Sequence, residues 1–141
     1  MTAYIDASVI LRVVLRQPNA LPQWTQIAHG VSSALIAVES LRTLDRLRLR
    51  AQLSDAEVSR RRYANLAIIA SLELIEIDDA VLDRAAQPMP TELGTLDAIH
   101  LASALLWQES VGEKLAMATH DKALAIGAQA YGMQILGVAS A

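Results

Sequence analysis

Short β-favouring runs alternate with longer helical stretches along all 141 residues, and this alternation limits the fold more than any other feature. Strands separated by helix-length segments cannot pair as hairpins; they pair in parallel, and the helices cover both faces of the sheet. The first run, TAYI, ends at Ile5 and Asp6 follows directly. Residues 7–16 read as a helix stopped by Pro18, residues 21–29 as a second short helix ended by Gly30, and residues 31–33 as a strand. A long helix is expected over 35–50. Ser54, with Glu57 three residues on, forms a capping box that opens another helix over 55–70. LELIEI, residues 72–77, alternates strictly and reads as a strand. Asp78 and Asp79 open a helix that ends before Pro88, QPMPTELG is the one strong loop signal, and Thr95 is expected to cap a helix over 96–110. Residues 114–118 and 134–136 read as strands, with a helix over 120–131 between them.

The length suits one domain spanning 1–141. Apolar residues make up 53% of the chain, which excludes a disordered protein, and aromatics only 4%, so aliphatic side chains must fill the core. Such a chain is also expected to hide apolar surface in an oligomer or partner interface. With no cysteine, disulfides and thiolate metal sites are impossible. No apolar run approaches a membrane span, and MTAYIDASVILRVVL lacks the basic leader of a signal peptide, so a cytoplasmic location is expected.

In open parallel sheets, ligands bind beyond the carboxyl ends of the strands. Four acids fall at such positions: Asp6 after the first strand, Glu39 early in the long helix, Asp97 in the first turn of its helix, and Asp121 just after the strand at 114–118. Each has an ordinary alternative. Asp97 and Asp121 could simply complement helix dipoles, and Arg42, three residues after Glu39, could pair with it. Asp6, between a buried strand and VILRVVL, and Glu39, inside LIAVESL, are harder to dismiss, because burying an unpaired carboxylate is costly. If the four gather, a divalent cation is the better partner. Oxygen ligands without cysteine suit Mg²⁺, with Mn²⁺ possible, rather than zinc.

The formal net charge of −3 argues against a nucleic-acid partner only on average. Setting the four acids aside leaves eleven against twelve basic residues, and seven arginines lie between Arg42 and Arg62.

Taken in order, YIDASVILRVVL, SALIAVESLRTLDRL, TLDAIHLASAL and ATHDKALAIGAQAYGMQIL resemble the PIN-domain ribonucleases, specifically the VapC-type toxins of toxin–antitoxin pairs. The resemblance runs over nearly the whole chain. It implies a three-layer α/β/α fold with a five-stranded parallel sheet. It also implies that Asp6, Glu39, Asp97 and Asp121 are the catalytic, metal-binding quartet. The implied chemistry is hydrolysis of RNA phosphodiesters by a metal-activated water, leaving a 5′-phosphate and a 3′-hydroxyl. A homodimer, silenced by a cognate antitoxin whose tail enters the acidic groove, is implied as well. Gly94 and His120 depart from the commoner pattern, which has a basic residue and an aromatic there.

Supporting roles are expected of Ser8 and Thr119, whose hydroxyls could orient a carboxylate, and of Arg42, which could bind phosphate; their alternatives are capping and a solvated face. Arg60, Arg61 and Arg62 point in different directions on a helix, so at most two face one ligand. His100 reads as a buried, hydrogen-bonded histidine rather than a general acid. Two rival functions are an inactive, protein-binding module of the same fold and a haloacid-dehalogenase-type phosphatase. The phosphatase needs a second Asp two residues after the first, where Ser8 stands.

Overall fold

In the computed structural model, which describes residues 1–50 and 52–138, the expected alternation becomes one sheet of five parallel strands. In chain order the elements are β1 (Thr2–Ile5), α1 (Ala7–Val14), β2 (His29–Ser33), α2 (Leu35–Leu49), α3 (Asp55–Ser71), β3 (Glu73–Ile75), α4 (Asp79–Ala85), α5 (Thr95–Val111), β4 (Ala116–Ala118), α6 (Lys122–Ala130) and β5 (Gln134–Leu136). The strand order is β3-β2-β1-β4-β5. β1 lies at the centre, with Tyr4 beside Val31 of β2 and Met117 of β4.

Side chains alternate across a strand, so β1 feeds two cores. Ala3 and Ile5 join Val9, Ile10, Ile36, Ala116 and Ala118 on one face, where Ile68 and Ile69 of α3 pack against them. Tyr4 joins Val31, Leu101, Leu105, Met117 and Leu124 on the other. Leu101 and Ile10 are wholly buried, and truncating either to Ala would cost about 2–5 kcal/mol. These are three layers: α1 and α3 on one face, the sheet, and α5 and α6 on the other. Chain crossovers leave β1 toward β2 and arrive at β4 from the opposite side. The crevice where ligands bind in such sheets therefore lies at the carboxyl end of β1.

Several boundaries differ from expectation. The helix expected over 21–29 is only a 3-10 turn at Trp24–Gln26, and β2 already begins at His29. Gly30 therefore ends no helix. It is a strand residue whose added Cβ would stand 2.5 Å from a Leu72 methyl and 2.9 Å from an Ile5 methyl, so any side chain there would push those two aside. α1 stops at Val14, short of residue 16. The alternating LELIEI forms strand only at Glu73–Ile75, on the sheet edge, with Glu73 and Leu74 exposed. The strand expected over 114–118 shortens to Ala116–Ala118. Gly94, not Thr95, occupies the cap position of α5, and α6 begins at Lys122 with Asp121, not His120, before it. Ser54 does cap α3, accepting from the Glu57 amide at 3.2 Å. Among the described residues no helix is long and apolar enough to cross a membrane.

Candidate active site

Asp6 directly follows β1, is buried at 7% exposure, and its backbone N–H is still bonded to Ala118 of β4. Its carboxylate is held on one oxygen: Ser8 Oγ donates to Oδ2 at 2.7 Å and Thr119 Oγ1 at 2.8 Å. Both hydroxyls are tied back in turn. Ser8 Oγ accepts from the His120 amide at 3.0 Å, and Thr119 Oγ1 from the Asp121 amide at 3.0 Å. Thr119 thus joins the ends of β1 and β4. Its expected link to Asp121 runs through the backbone, while its side chain orients Asp6. Among the described residues Oδ1 of Asp6 keeps only a distant neighbour, His100 Nε2 at 3.9 Å.

Glu39 reaches the site from the second turn of α2. Its partner is His100, not Arg42: Glu39 Oε1 lies 2.5 Å from His100 Nε2, and the Tyr4 hydroxyl lies 2.7 Å from Nδ1. His100 and Tyr4 are wholly buried. An ionised carboxylate can only accept, so Nε2 donates to Glu39. Burial opposes a charged ring at His100, but the Glu39 hydrogen bond and the negative charges of Glu39, Asp6 and Asp97 outweigh it and raise its pKa. Burial drives the Tyr4 phenol well above its ordinary value, so it stays protonated. The expectation of a buried, hydrogen-bonded His100 holds. The role of Tyr4 was not read from the sequence; its alternation with Ile5 toward the α5 face was the available signal.

Asp97 stands in the first turn of α5, half-buried, and among the described residues it has no hydrogen-bond partner. Its pKa is pushed up to about 6, first by desolvation and then by the charges of Asp121 and Asp6, with His100 pulling the other way. Asp121 caps α6, accepting from the Leu124 amide at 3.1 Å through Oδ1. The capping reading of Asp121 is therefore met by one oxygen, and among the described residues the other has no partner.

All four acids line one open cleft of about 420 Å³ at the carboxyl edge of the sheet, together with Ser8, Leu96, Arg42 and Arg46. Arg42 is exposed on the rim and, among the described residues, pairs with no carboxylate. Arg46 donates to Thr43 Oγ1 at 3.0 Å. Among the described residues, no three His, Asp or Glu side chains converge tightly enough to cage one ion. The acids share a space but have not closed on a point, because like charges repel and Glu39 and Asp121 are drawn to His100 and to a helix N–H. The donor set still suits a hard cation: the free oxygens are carboxylate oxygens, and Mg²⁺ is commonly held by one or two carboxylates while keeping several waters.

Residues 3–126 match the PIN domain family model. The chain is 35% identical over 136 residues to Ribonuclease VapC46 of Mycobacterium tuberculosis, covering 94% of this chain and 95% of that protein. The crystal structure of PAE2754 from Pyrobaculum aerophilum overlays with a TM-score of 0.59 at 19% identity. It covers 95% of this chain and 83% of that one, a likeness of fold alone. Matched along most of its length by family model and relative, and built as the same three-layer sheet, the chain belongs to the PIN-domain family and, within it, to the VapC type.

Proposed function

We propose that the chain, as one domain over 1–141, is a divalent-metal-dependent endoribonuclease of the toxin–antitoxin kind. One observation carries this reading. Carboxylates from four separate parts of the chain line a single cleft, with His100 and two rim arginines to offset them, and burial, then the charges of Asp121 and Asp6, holds Asp97 above the usual carboxylate range. A chain that needed those acids only for capping would not collect them. The ribonuclease name of the VapC46 relative supplies the substrate class.

Asp6, Asp97, Asp121 and Glu39 would hold Mg²⁺ or Mn²⁺. When bound, the ion supplies Lewis-acid chemistry, lowering the pKa of an attacking water and offsetting charge on the phosphoryl and leaving oxygens. Asp6 presents Oδ1 to the cleft, because Ser8 and Thr119 occupy Oδ2 and fix the plane of the carboxylate. His100 holds Glu39 against the cleft wall by one oxygen and leaves the other available. Asp97, half-buried in the first turn of α5 and without a hydrogen-bond partner among the described residues, would offer its carboxylate to the ion. Arg42 on the rim fits a phosphate oxygen. Cleavage on this plan leaves a 5′-phosphate and a 3′-hydroxyl. We further propose a homodimer, a cytoplasmic location and a cognate antitoxin that fills the acidic cleft.

The test is cleavage of RNA with Mg²⁺ or Mn²⁺, with EDTA and an Asp6→Asn variant as controls. Metal-dependent cleavage lost in the variant supports the proposal. Absence of cleavage on any RNA would favour a protein-binding module. The phosphatase alternative has no support in the site: Ser8, where a second Asp would stand, is engaged in orienting Asp6.

A further inference from the structure

A second, smaller groove of about 280 Å³ runs between α1 and α3, and it contains no acid. Arg16, Arg60 and Arg61 line it over an apolar floor that includes Val13 and Ile68. Among the described residues none of these three guanidinium groups pairs with a carboxylate, and Arg61 Nε is buried without any acceptor. The neighbouring arginine shows the contrast. Arg62 faces the other side of α3, in a groove that also holds Asp45 and Asp55. Three uncompensated cations collected at one place on a chain of net charge −3 are not an average surface.

Arg16 adds an independent observation. It is the one non-glycine with positive φ, at 53°, among the described residues. It sits just past α1, where the Gln17 amide bonds to the Arg12 carbonyl at 2.9 Å and the Arg16 amide to the Val13 carbonyl at 3.1 Å. This paired closure of a helix end ordinarily places Gly, or sometimes Asn, at the left-handed position. An arginine there is strained, and strain of this kind collects at functional positions. The conformation keeps the side chain in the groove, beside Arg60 and Arg61.

We propose that this groove binds the phosphodiester backbone of RNA outside the cleft, an inference that rests on the ribonuclease reading. Guanidinium forks match phosphate oxygens in pairs, and an apolar floor strengthens each contact by lowering the local dielectric. α1 connects the two sites: Ser8 lines the cleft and Arg16 the groove, about 12 Å apart along the helix axis. A strand of about three or four stacked nucleotides spans that distance.

The experiment measures binding of a labelled 20-nucleotide single-stranded RNA to the full chain in EDTA, across 50–300 mM salt (concentrations of order 0.1 M, where counterion release dominates). The Arg60→Gln/Arg61→Gln double variant is expected to bind roughly tenfold more weakly. Its salt dependence should be shallower by about 1.4 in log–log slope, near 0.7 for each lost phosphate. Arg16→Asn should lower the slope by about 0.7 while leaving the melting temperature unchanged or raised, a result that a purely structural role would not give. Arg48→Gln, whose partner is Asp45 at 2.9 Å, should bind as wild type. Wild-type slopes in the double variant and in Arg16→Asn would overturn the proposal, as would arginine-dependent binding of poly-glutamate but not of RNA. Because binding is read in EDTA, it is separable from cleavage. A dinucleotide substrate, too short to reach the groove, should be cut equally by wild type and the double variant. If wild type cuts nothing yet the slopes change, the nuclease reading fails and the groove stands.

Discussion

The two ends of the sheet treat acids in opposite ways. Toward the amino end two carboxylates have partners of their own. Glu73 lies 3.2 Å from His29 and accepts from the Trp107 indole, and Glu109 pairs with Arg84 at 3.0 Å. At the carboxyl end Asp6, Glu39, Asp97 and Asp121 share one histidine, and Asp97 has no partner among the described residues. At the amino end those two carboxylates are held by side chains of the fold itself. At the carboxyl end the four carboxylates have His100 and, on the rim, Arg42 and Arg46, which pair with no acid among the described residues, so the cleft keeps an excess of negative charge that a cation from outside would balance. The difference separates acids that serve the fold from acids that await a ligand, a distinction that residue type alone does not provide.

The largest effect should come from breaking the uncompensated end. Asp6→Asn and Asp97→Asn are each expected to lower metal-dependent kcat/KM by roughly 100-fold or more, beyond the 10–100-fold typical of losing an orienting partner. Single-turnover cleavage of RNA in Mn²⁺ reads this. Thr119→Ala, which removes one of the two donors on Asp6 Oδ2, should weaken Mn²⁺ binding by about tenfold in calorimetry while leaving the cleft acids in place.

The same charge should make the metal-free protein unusual in its pH response. The folded-state pKa of Asp97 lies above its unfolded value, so the folded chain binds a proton more tightly and loses stability as pH rises from about 4 to about 6. His100, also raised, contributes stability below its unfolded pKa that is lost as pH rises through the folded one. The two effects have the same sign. In EDTA the melting temperature should therefore fall with rising pH. Asp97→Asn should raise it at neutral pH by about 3 °C, equivalent to about 1 kcal/mol once solvent screening of a half-exposed group is allowed for. Added Mn²⁺ should stabilise wild type increasingly as pH rises, because binding requires deprotonated carboxylates. A flat pH profile in EDTA would count against uncompensated charge in the cleft.

The smallest effects belong to the paired end. Glu73→Gln and Arg84→Gln break exposed pairs and should cost less than about 1 kcal/mol in denaturant titration, with cleavage unchanged. If either abolished cleavage, the contrast between the two ends would dissolve.

Much of the architecture was legible because its signals are local. β1, α2 and α3 were readable from β-branched residues, an unbroken helical stretch and the Ser54 cap. The failures have local causes too. Gly30 carries the same letter whether it ends a helix or fits beneath Leu72 and Ile5, and only packing distinguishes the two. LELIEI alternates along its length, but an edge strand keeps its ladder only where a neighbour lies alongside, and β2 ends at Ser33 opposite Ile75.

By itself the sequence determined the layer order and which acids stand just past strands, since strand period, helix period and capping chemistry act over a few residues. The tertiary structure alone decided who touches whom across the chain: that Glu39 meets His100 sixty-one residues away, and that Thr119 turns to Asp6 across 113. It also decided that Arg42 stands on the rim without a carboxylate partner among the described residues. These choices depend on distances of a few ångströms between elements set by the twist and packing of the whole sheet, and no short window of residues encodes them.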